Sequence, residues 1–305
     1  MTTVYTYDHL PQNFLGWIES NKSLLQPPVC NALMYGQELK IMIVGGPNTR
    51  SDYHTNPTEE WFYQIKGSMV LRVIDQGHPK DIHIGEGQHF LLPPNTPHSP
   101  QRFADTIGLV VECDRPDGQH DALSYYCPQC GATNLSERFI CTNLVTQLPP
   151  IINRYYADEG LRTCTGCGHV DVKPTTPVDI PDSLDTSAGT IGTSLPGPQP
   201  IDKWITQPNA VLSGIALRVE VFSPSSKDIG RAQSHAGEAW VYAIDDECTI
   251  DLGDDNHPPS GADDASAKTI TLNKADCVVI KPRQAFTLNP KSHVIVVSHL
   301  IQEQS

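Results

Sequence analysis

The sequence has little positive charge and no long apolar segment. Its 305 residues carry 21 lysines and arginines against 35 aspartates and glutamates, a formal charge of −14. Because nucleic acids bind to basic surfaces, this balance argues against a nucleic-acid partner. No apolar run reaches roughly 18 residues, and the N-terminus lacks the charged-then-apolar pattern of a signal peptide. We therefore expect no membrane contact and no export, which makes the cytoplasm the predicted location.

Nine cysteines are present, and four of them form two C-x-x-C pairs, each followed by glycine: Cys127 with Cys130, and Cys164 with Cys167. In a chain without an export signal, paired cysteines favour metal binding over disulfides. Two such knuckles are typical of a rubredoxin-like or zinc-ribbon site, where four thiolates surround one ion. No coordination position then stays open. We predict a structural ion here, either iron or zinc.

Short alternating segments separated by Gly and Pro run from Ile41 to Glu112 and resume after Trp204. Many short strands at regular spacing predict a double-sheet jelly roll or a small barrel. One short helix is expected from Asn13 to Ser20, where apolar residues follow helical spacing. The stretch from Lys173 to Pro200 is rich in Pro, Thr, Ser and Gly, which is typical of a linker.

The second β region looks like a diverged copy of the first. The segment that begins at Glu59 aligns with the one that begins at Glu238, and the segment from Leu92 to His98 aligns with Ile280 to Phe286. In this register Gln233, Ala239 and Phe286 occupy the positions of His54, Glu60 and His98. His235 and Glu238 remain nearby but out of register. We predict that the second region is structural and holds no metal.

Two histidines and one carboxylate occur at the ends of predicted strands in the first region: His54, Glu60 and His98. This donor set can hold one face of a mononuclear Fe(II) ion and leave the other positions free for a substrate and O2. Arg50 precedes His54 by four residues, and Arg102 follows His98 by four. A planar guanidinium offers a carboxylate directional, charge-assisted hydrogen bonds. The pattern predicts oxidation of a small molecule that carries a carboxylate.

The motifs around these residues resemble one family closely. His54, Glu60 and His98 fit the metal-binding pattern of the cupin superfamily, and residues 1 to about 172 resemble 3-hydroxyanthranilate 3,4-dioxygenases. The resemblance rests on an ordered set of segments: Pro27-Pro-Val-Cys-Asn31, Val44-Gly-Gly-Pro-Asn48, Arg50-Ser-Asp-Tyr-His54, Glu59-Glu60-Trp-Phe-Tyr-Gln, Leu91-Leu-Pro-Pro, His98-Ser-Pro-Gln-Arg102 and Glu112-Cys-Asp-Arg-Pro116.

The resemblance implies a fold and a reaction. The expected fold is an all-β bicupin with a catalytic cupin over residues 1–120, a small rubredoxin-like four-cysteine insert over 121–172, a linker over 173–200 and a degenerate cupin over 201–305. The expected reaction is Fe(II)-dependent, extradiol-type ring opening of 3-hydroxyanthranilate, or a close analogue, by O2. Its product is 2-amino-3-carboxymuconate semialdehyde, on the kynurenine route to quinolinate and NAD.

The resemblance also implies a role for each site residue. His54, Glu60 and His98 correspond to the Fe(II) ligands. Arg50 and Arg102 correspond to a clamp on the substrate carboxylate, and Glu112 to the catalytic group that faces the substrate amine and phenol. Asn31 corresponds to a further residue of the substrate pocket.

The chain combines two features that the family otherwise separates. Short members have one cupin with the four-cysteine site and form dimers, whereas the animal enzyme has two cupins and no such site. The fused copy can replace a dimer partner, which favours a monomer and leaves a homodimer open. Two other functions stay open at this point, a cupin that binds metal or a small acid without turnover and a cupin isomerase or decarboxylase. Retention of Glu112 and both arginines favours the dioxygenase, because simple binding would not need the whole set.

Overall fold

The structure is a computed structural model that describes residues 11–26, 30–48, 50–174, 195–207, 210–227, 229, 233, 235–253 and 268–301. Strands dominate these residues, and none of the described helices is long and apolar enough to cross a membrane. The first half contains β1 (Gln12–Asn13), α1 (Phe14–Ser20), β2 (Asn31–Gly36), β3 (Leu39–Gly45), β4 (Asp52–Thr55), β5 (Glu60–Lys66), β6 (Met69–Asp75), β7 (His78–Ile84), β8 (Gln88–Leu92), β9 (His98–Arg102), β10 (Ile107–Cys113), β11 (Asp121–Tyr126), β12 (Thr133–Phe139), α2 (Leu144–Ala157) and α3 (Glu159–Arg162).

Strands also dominate the described residues of the second half. The first half also has a 3-10 turn over Lys22–Leu25. No such turn occurs among the described residues of the second half. Its elements are β13 (Gln199–Pro200), α4 (Ile201–Trp204), β14 (Val211–Ser213), β15 (Leu217–Phe222), β16 (Ala239–Ala243), β17 (Cys248–Leu252), β18 (Lys268–Leu272), β19 (Asp276–Ile280), β20 (Phe286–Pro290) and β21 (Val294–His299).

Two six-stranded antiparallel sheets form the first barrel, with strand orders β13-β8-β5-β10-β3-β2 and β12-β11-β4-β9-β6-β7. Successive side chains of a strand point to opposite faces, so each sheet turns one apolar face inward. Phe62, Phe90 and Val110 of the first sheet pack there against Leu71 and Ile82 of the second. Strand β11, from the segment that carries the first cysteine pair, extends the second sheet.

The second barrel repeats this arrangement, with fewer strands among the residues that the structure describes. Its sheets have the orders β1-β19-β16-β21-β15-β14 and β18-β17-β20. The backbone bridge between Gln233 and Phe286 takes the place of the pairing between His54 and His98 in the first barrel. The alignment of the two halves is therefore confirmed at the level of strand register, and so is the all-β bicupin predicted from the sequence.

Each half of the chain donates its N-terminal strand to the other barrel. Strand β1 pairs with β19 of the second barrel, and β13 pairs with β8 of the first. The Glu59 carboxylate accepts hydrogen bonds from the backbone N–H groups of Ile215, Ala216 and Leu217, at 2.6, 2.9 and 3.2 Å. In return, Glu238 accepts one from the N–H of Leu39 at 2.6 Å. A single apolar core runs across the junction, so the two barrels form one packed unit.

The predicted helix near the N-terminus is confirmed as α1, where Asn13 caps the first turn by accepting a hydrogen bond from Gly16 N–H at 2.8 Å. Helix α2 was not predicted. It contains Pro149 and Pro150, and consecutive prolines normally indicate a loop. Most of the predicted linker, residues 175–194, lies outside the described residues, as do positions 27–29 of the first family motif.

Candidate active site and metal centres

Strand pairing brings His54 and His98 together. The two residues are direct partners across β4 and β9, and their ring centroids are 5.4 Å apart. Directly opposed residues of an antiparallel pair project to the same face, which here is the barrel interior. Both side chains are buried. The register of the sheet thus brings together two residues that are 44 positions apart in the sequence.

Each imidazole uses one nitrogen in a hydrogen bond and leaves the other for the interior. His54 Nε2 lies 2.7 Å from an Asp121 carboxylate oxygen, and His98 Nδ1 lies 3.0 Å from the Thr96 carbonyl. Because both partners are acceptors, these nitrogens carry the protons. The remaining nitrogens, His54 Nδ1 and His98 Nε2, lie 3.7 and 3.2 Å from the same Glu60 oxygen. This is the arrangement in which an outer acceptor fixes the ring that binds a metal.

Glu60 reaches this point from the opposite sheet, where it begins β5. Asn56 donates a hydrogen bond to its Oε1 at 2.6 Å. Burial on its own would raise the pKa of Glu60, but the neighbouring imidazoles of His98 and His54 outweigh burial and lower it to about 2. The side chain is therefore an anion at neutral pH. One ligand atom from each of His54, Glu60 and His98 lies within 4.8 Å of the others.

Arg102 is a fully enclosed cation with weak protein partners. Its side chain is 2% exposed, Nη1 donates to Gln64 Oε1 at 3.4 Å, and Nε has no hydrogen-bond partner in the part of the chain that the structure describes. Among the described residues, no carboxylate forms an ion pair with it. Burial lowers the pKa of Arg102 to about 10, which still leaves the guanidinium charged at neutral pH. A buried charge of this kind favours binding of an anionic ligand.

Gly108 makes the room for this guanidinium. A Cβ at Gly108 would lie 2.4 Å from Arg102 Nη1 and 2.8 Å from Gln64 Oε1. Any larger residue would push Arg102 out of its place. The glycine was not singled out in the sequence, since nothing in its local pattern reveals a close approach from another strand.

Arg50 differs from Arg102 because it already has an acidic partner. Its guanidinium forms an ion pair with Asp52 through two nitrogens, and Nε lies 3.1 Å from Asp52 Oδ2. Burial acts to lower the pKa of Arg50, but the Asp52 carboxylate outweighs it and the pKa is raised. The two arginines therefore have different electrostatic surroundings, although the sequence pattern treated them alike.

Glu112 lies on β10, beside Glu60 on the same sheet. Burial first, and then repulsion from Glu60, raise the pKa of the Glu112 carboxyl, while Arg115 acts in the opposite direction. Arg115 Nη2 donates to Glu112 Oε2 at 2.8 Å. A carboxylate with a raised pKa is a better proton acceptor than an ordinary one. Glu112 combines that property with a place in the wall of the cavity.

One cavity of about 550 Å³ is lined by the three candidate metal ligands, the two arginines and the second glutamate: His54, Glu60, His98, Arg50, Arg102 and Glu112. Asn31, at the start of β2, belongs to it as well. Helix α2 contributes a second wall that the sequence did not predict, because its apolar side chains are separated from the barrel motifs by the first cysteine pair. The wall residues from α2 are Leu144, Leu148, Pro149, Ile152 and Tyr156. Lys173, which follows the second cysteine pair, also lines the cavity.

Helix α2 is attached to the barrel through aromatic contacts. Tyr125 on β11 stacks on Tyr155 at 3.6 Å between ring centroids, and the Tyr155 hydroxyl donates to Asp171 at 2.9 Å. The Tyr156 hydroxyl forms a hydrogen bond with Ser51, next to Arg50. The segment between the two cysteine pairs thus contributes to the wall of the cavity.

The four predicted cysteines come together in a second cluster. Cys127 and Cys167 sulfurs lie 3.6 Å apart, Cys130 and Cys164 sulfurs 3.5 Å apart, and none of the four is in a disulfide. The two knuckles have the same turn, in which Gly131 and Gly168 each have φ of +76°. Positive φ explains the glycine after each pair. Backbone N–H groups, those of Cys167 and Gly166, lower the pKa of Cys164 to about 7. Four thiols at these distances can close around one ion.

Jelly-roll barrels that carry two imidazoles and a carboxylate on their inner face are metal-binding cupins. The first half of this chain has that donor set, whereas the second half has the fold but no such cluster among its described residues. The family model for 3-hydroxyanthranilic acid dioxygenase matches residues 7–156. A 3-hydroxyanthranilate 3,4-dioxygenase of Lodderomyces elongisporus is 47% identical over 170 residues, which are 56% of this chain and 97% of that protein. The chain therefore belongs to the 3-hydroxyanthranilic acid dioxygenase family.

Other relatives show the same extent of similarity. The enzyme named 3-hydroxyanthranilate 3,4-dioxygenase in Candida albicans is 51% identical over 161 residues, covering 53% of this chain and 94% of its own. That of Xanthomonas euvesicatoria is 47% identical over 164 residues, covering 54% and 93%. The chain is also similar to a solved structure of Bacillus subtilis oxalate decarboxylase, with 14% sequence identity and a TM-score of 0.44. The similarity covers 90% of this chain and 73% of that one.

Proposed function

We propose that this chain cleaves the ring of 3-hydroxyanthranilate with O2 at the cavity of the first barrel and yields 2-amino-3-carboxymuconate semialdehyde. Family membership supports the reaction type. The observation that carries the substrate assignment is the Arg102 guanidinium, a buried cation beside the two-histidine, one-carboxylate cluster. It requires an anionic group on the ligand, and 3-hydroxyanthranilate carries one carboxylate.

The donor set fits a catalytic metal, and Fe(II) is the ion we propose. Two imidazole nitrogens and one carboxylate oxygen on one face are typical of mononuclear non-haem iron oxygenases. Asp121 and Thr96 orient the two imidazoles for this role. When bound, Fe(II) would supply the redox chemistry that lets O2 react with an aromatic ring. His54, Glu60 and His98 would hold it.

The other residues bind and orient the substrate. Arg102, with Arg50 at its side of the cavity, would hold the ring carboxylate through charge-assisted hydrogen bonds. Glu112 would accept the phenolic proton, since its raised pKa suits a proton acceptor. The apolar side chains of α2, among them Leu148 and Ile152, would cover the ring and keep water from it. Asn31 would contact the substrate from β2.

We further propose that the four-cysteine cluster binds one structural iron or zinc ion. Its thiols must stay reduced to act as ligands, which fits a reducing compartment such as the cytoplasm. The internal junction between the barrels, with its exchanged strands, takes the place of a subunit interface, and we propose that the chain is active as a monomer.

Oxygen uptake tests the function. The iron-loaded protein should consume O2 when 3-hydroxyanthranilate is added, with one O2 used for each substrate. His98→Ala should abolish the uptake but leave the thermal unfolding of the metal-free protein close to native. Asn289→Ala, at an exposed position of strand β20 in the second barrel, is the control and should retain activity. A protein that binds iron and the substrate but consumes no O2 would be a non-catalytic cupin, and the proposal would fail.

A further inference from the structure

Arg115 lies behind the active site and joins two of its parts. Its guanidinium donates from Nη2 to Glu112 Oε2 at 2.8 Å, and from Nη2 and Nε to the Asp121 oxygens at 2.8 and 3.0 Å. A further bond, from Nη1 to the Cys113 carbonyl at 2.8 Å, fixes the plane of the group. The Arg115 side chain is 9% exposed and does not line the cavity.

Asp121 is the link to the metal cluster. It is fully buried at the start of β11, and its Oδ2 accepts both from Arg115 and from His54 Nε2. Glu112, on the other side of Arg115, is the carboxylate that faces the cavity. An unbroken chain of charge-assisted hydrogen bonds therefore runs from Glu112 through Arg115 and Asp121 to His54.

This chain requires the geometry of arginine. The guanidinium is a rigid, planar group with five donors, so one residue can hold two carboxylates and a carbonyl at fixed angles. Lysine has a single ammonium on a flexible stem, which cannot satisfy both carboxylates in the same way. Since buried Glu112 and Asp121 would repel each other without a cation between them, Arg115 also makes their close approach favourable.

We propose that Arg115 and Asp121 are positioning residues. Together they fix the orientation of the Glu112 carboxylate and of the His54 ring. In this view Arg115 fixes the proton acceptor relative to the metal ligands, and Asp121 holds His54 with Nδ1 toward Glu60. Neither residue touches the substrate. The inference rests on the proposed function for its kinetic part, whereas its metal-binding part is independent of the substrate.

A double-mutant cycle tests the Arg115 arm. Arg115→Lys should lower kcat/KM for 3-hydroxyanthranilate by roughly tenfold or more, mainly through kcat, with little change in KM. In the Glu112→Gln background the same change should cost about twofold or less, because residues that act through one another are not additive. The matched control is Arg218→Lys in the second barrel, where Arg218 pairs with Glu220. It should leave kcat/KM almost unchanged in both backgrounds. Equal losses from Arg115→Lys in both backgrounds would overturn this arm.

The role of Asp121 is tested by measurements that do not need turnover. Asp121→Asn should weaken Fe(II) binding on the order of 10–100-fold, as expected for an outer partner of a ligating histidine. It should also change the electron paramagnetic resonance spectrum of the Fe(II)–nitrosyl complex, which reports the ligand geometry. Asp276→Asn is the control, a buried aspartate of the second barrel that bonds Asn13 and Asn273. It should lower thermal stability and leave iron affinity and spectrum native.

The outcomes separate this inference from the proposed function. If the native protein shows no O2 uptake with 3-hydroxyanthranilate, the proposed function fails, and the iron affinity and nitrosyl spectrum of Asp121→Asn still decide the positioning role. If Asp121→Asn has native iron affinity and a native spectrum, the positioning role is wrong even in an active enzyme. Should Arg115→Lys fail to fold, the nearly isosteric Asp121→Asn carries the test.

Discussion

At the scale of single residues, the two arginines that look equivalent in the sequence have opposite effects on the stability of the ligand-free protein. Arg102 is a buried cation without a carboxylate partner among the described residues, so it costs stability until an anion binds. Arg50 is neutralised by Asp52, which is itself buried. The site therefore holds one arginine that awaits a ligand and one that is part of a stable ion pair.

The first prediction contrasts these two arginines. Arg102→Met should lower kcat/KM for 3-hydroxyanthranilate by roughly 30-fold or more, from a loss of about 2–5 kcal/mol in carboxylate binding. It should leave the protein as stable as the native form or more so. Arg50→Met should instead lower the free energy of unfolding, because Asp52 is left buried and unpaired. Steady-state kinetics and urea unfolding measure the two effects.

2-Aminophenol, which lacks the carboxylate, is the control for this contrast. The kinetic loss of Arg102→Met should become small with that compound. If the loss is equal for both substrates, Arg102 acts on the fold or the metal site, and the assignment of a carboxylate clamp has to be abandoned.

The second prediction concerns Gly108. Gly108→Ala should raise KM for 3-hydroxyanthranilate by about tenfold, because the new methyl group displaces the Arg102 guanidinium. KM for 2-aminophenol should change much less. Gly160→Ala, in the short helix α3 outside the cavity, serves as the control and should leave both KM values native. An unchanged KM for both substrates in Gly108→Ala would mean that Arg102 does not bind the carboxylate from its observed position.

The sequence motifs predicted residues that the structure brings to one cavity, but they did not predict the residues that surround them. His54, Glu60, His98, Arg102 and Glu112 could be found because short local motifs place each at a strand end. The roles of Asp121, Arg115 and Gly108 could not, since they arise from side-chain contacts in three dimensions that no local sequence pattern reveals. Charge pairing across a sheet leaves no periodic signal within one strand.

At the scale of elements, helix α2 is the main departure from expectation. It lies between the two cysteine pairs in the chain, after β12 and before α3. Its Pro149 and Pro150 weaken the sequence signal for a helix, and packing of Ile151 and Tyr155 on β11 stabilises it instead. Tertiary contacts outweigh local propensity here, which no single-segment pattern could reveal.

The third prediction joins this helix to the four-cysteine site. Cys167→Ser should weaken the structural metal site, loosen both ends of the segment and raise KM for 3-hydroxyanthranilate before the content of catalytic iron falls. Amide hydrogen exchange in α2 should become faster. Ile152→Ala, which shortens the wall and keeps the four thiols, should raise KM without faster exchange near the cysteines. Native KM and native exchange in Cys167→Ser would show that the cysteine cluster does not support the cavity.

At the scale of the whole molecule, the two barrels are joined by reciprocal contacts. The internal repeat in the sequence predicted the two barrels and the strand register, because the aligned segments are long enough to compare. It could not predict the exchange of β1 and β13, since two-residue strands have no periodicity. The exchanged arm after β13 places Trp204 against His89 at 4.4 Å between ring centroids, on the first barrel.

The fourth prediction uses His89 as a reporter of this junction. His89 Nδ1 accepts a hydrogen bond from Trp61 at 3.1 Å, and burial lowers the pKa of His89 to about 4. Above its unfolded pKa of about 6.5 neither state binds the proton. As pH falls from there toward 4, only the unfolded state does, so stability falls by at most about 3 kcal/mol.

His89→Gln, which retains an acceptor for Trp61, should remove this part of the pH dependence. Urea unfolding of native and variant protein between pH 4 and 7 measures the difference. Identical slopes for the two proteins over that range would contradict a neutral, buried His89 at the junction.

If the chain is a ring-cleaving dioxygenase, both atoms of O2 enter the opened ring at the His54, Glu60 and His98 site. The direct measurement is the mass of the product formed from 3-hydroxyanthranilate under labelled O2, with the aldehyde reduced by borohydride at once to prevent exchange with water. We predict two labelled oxygen atoms in the product of the iron-loaded native protein and no product from His98→Ala. One labelled atom, or none, would contradict ring cleavage by a dioxygenase.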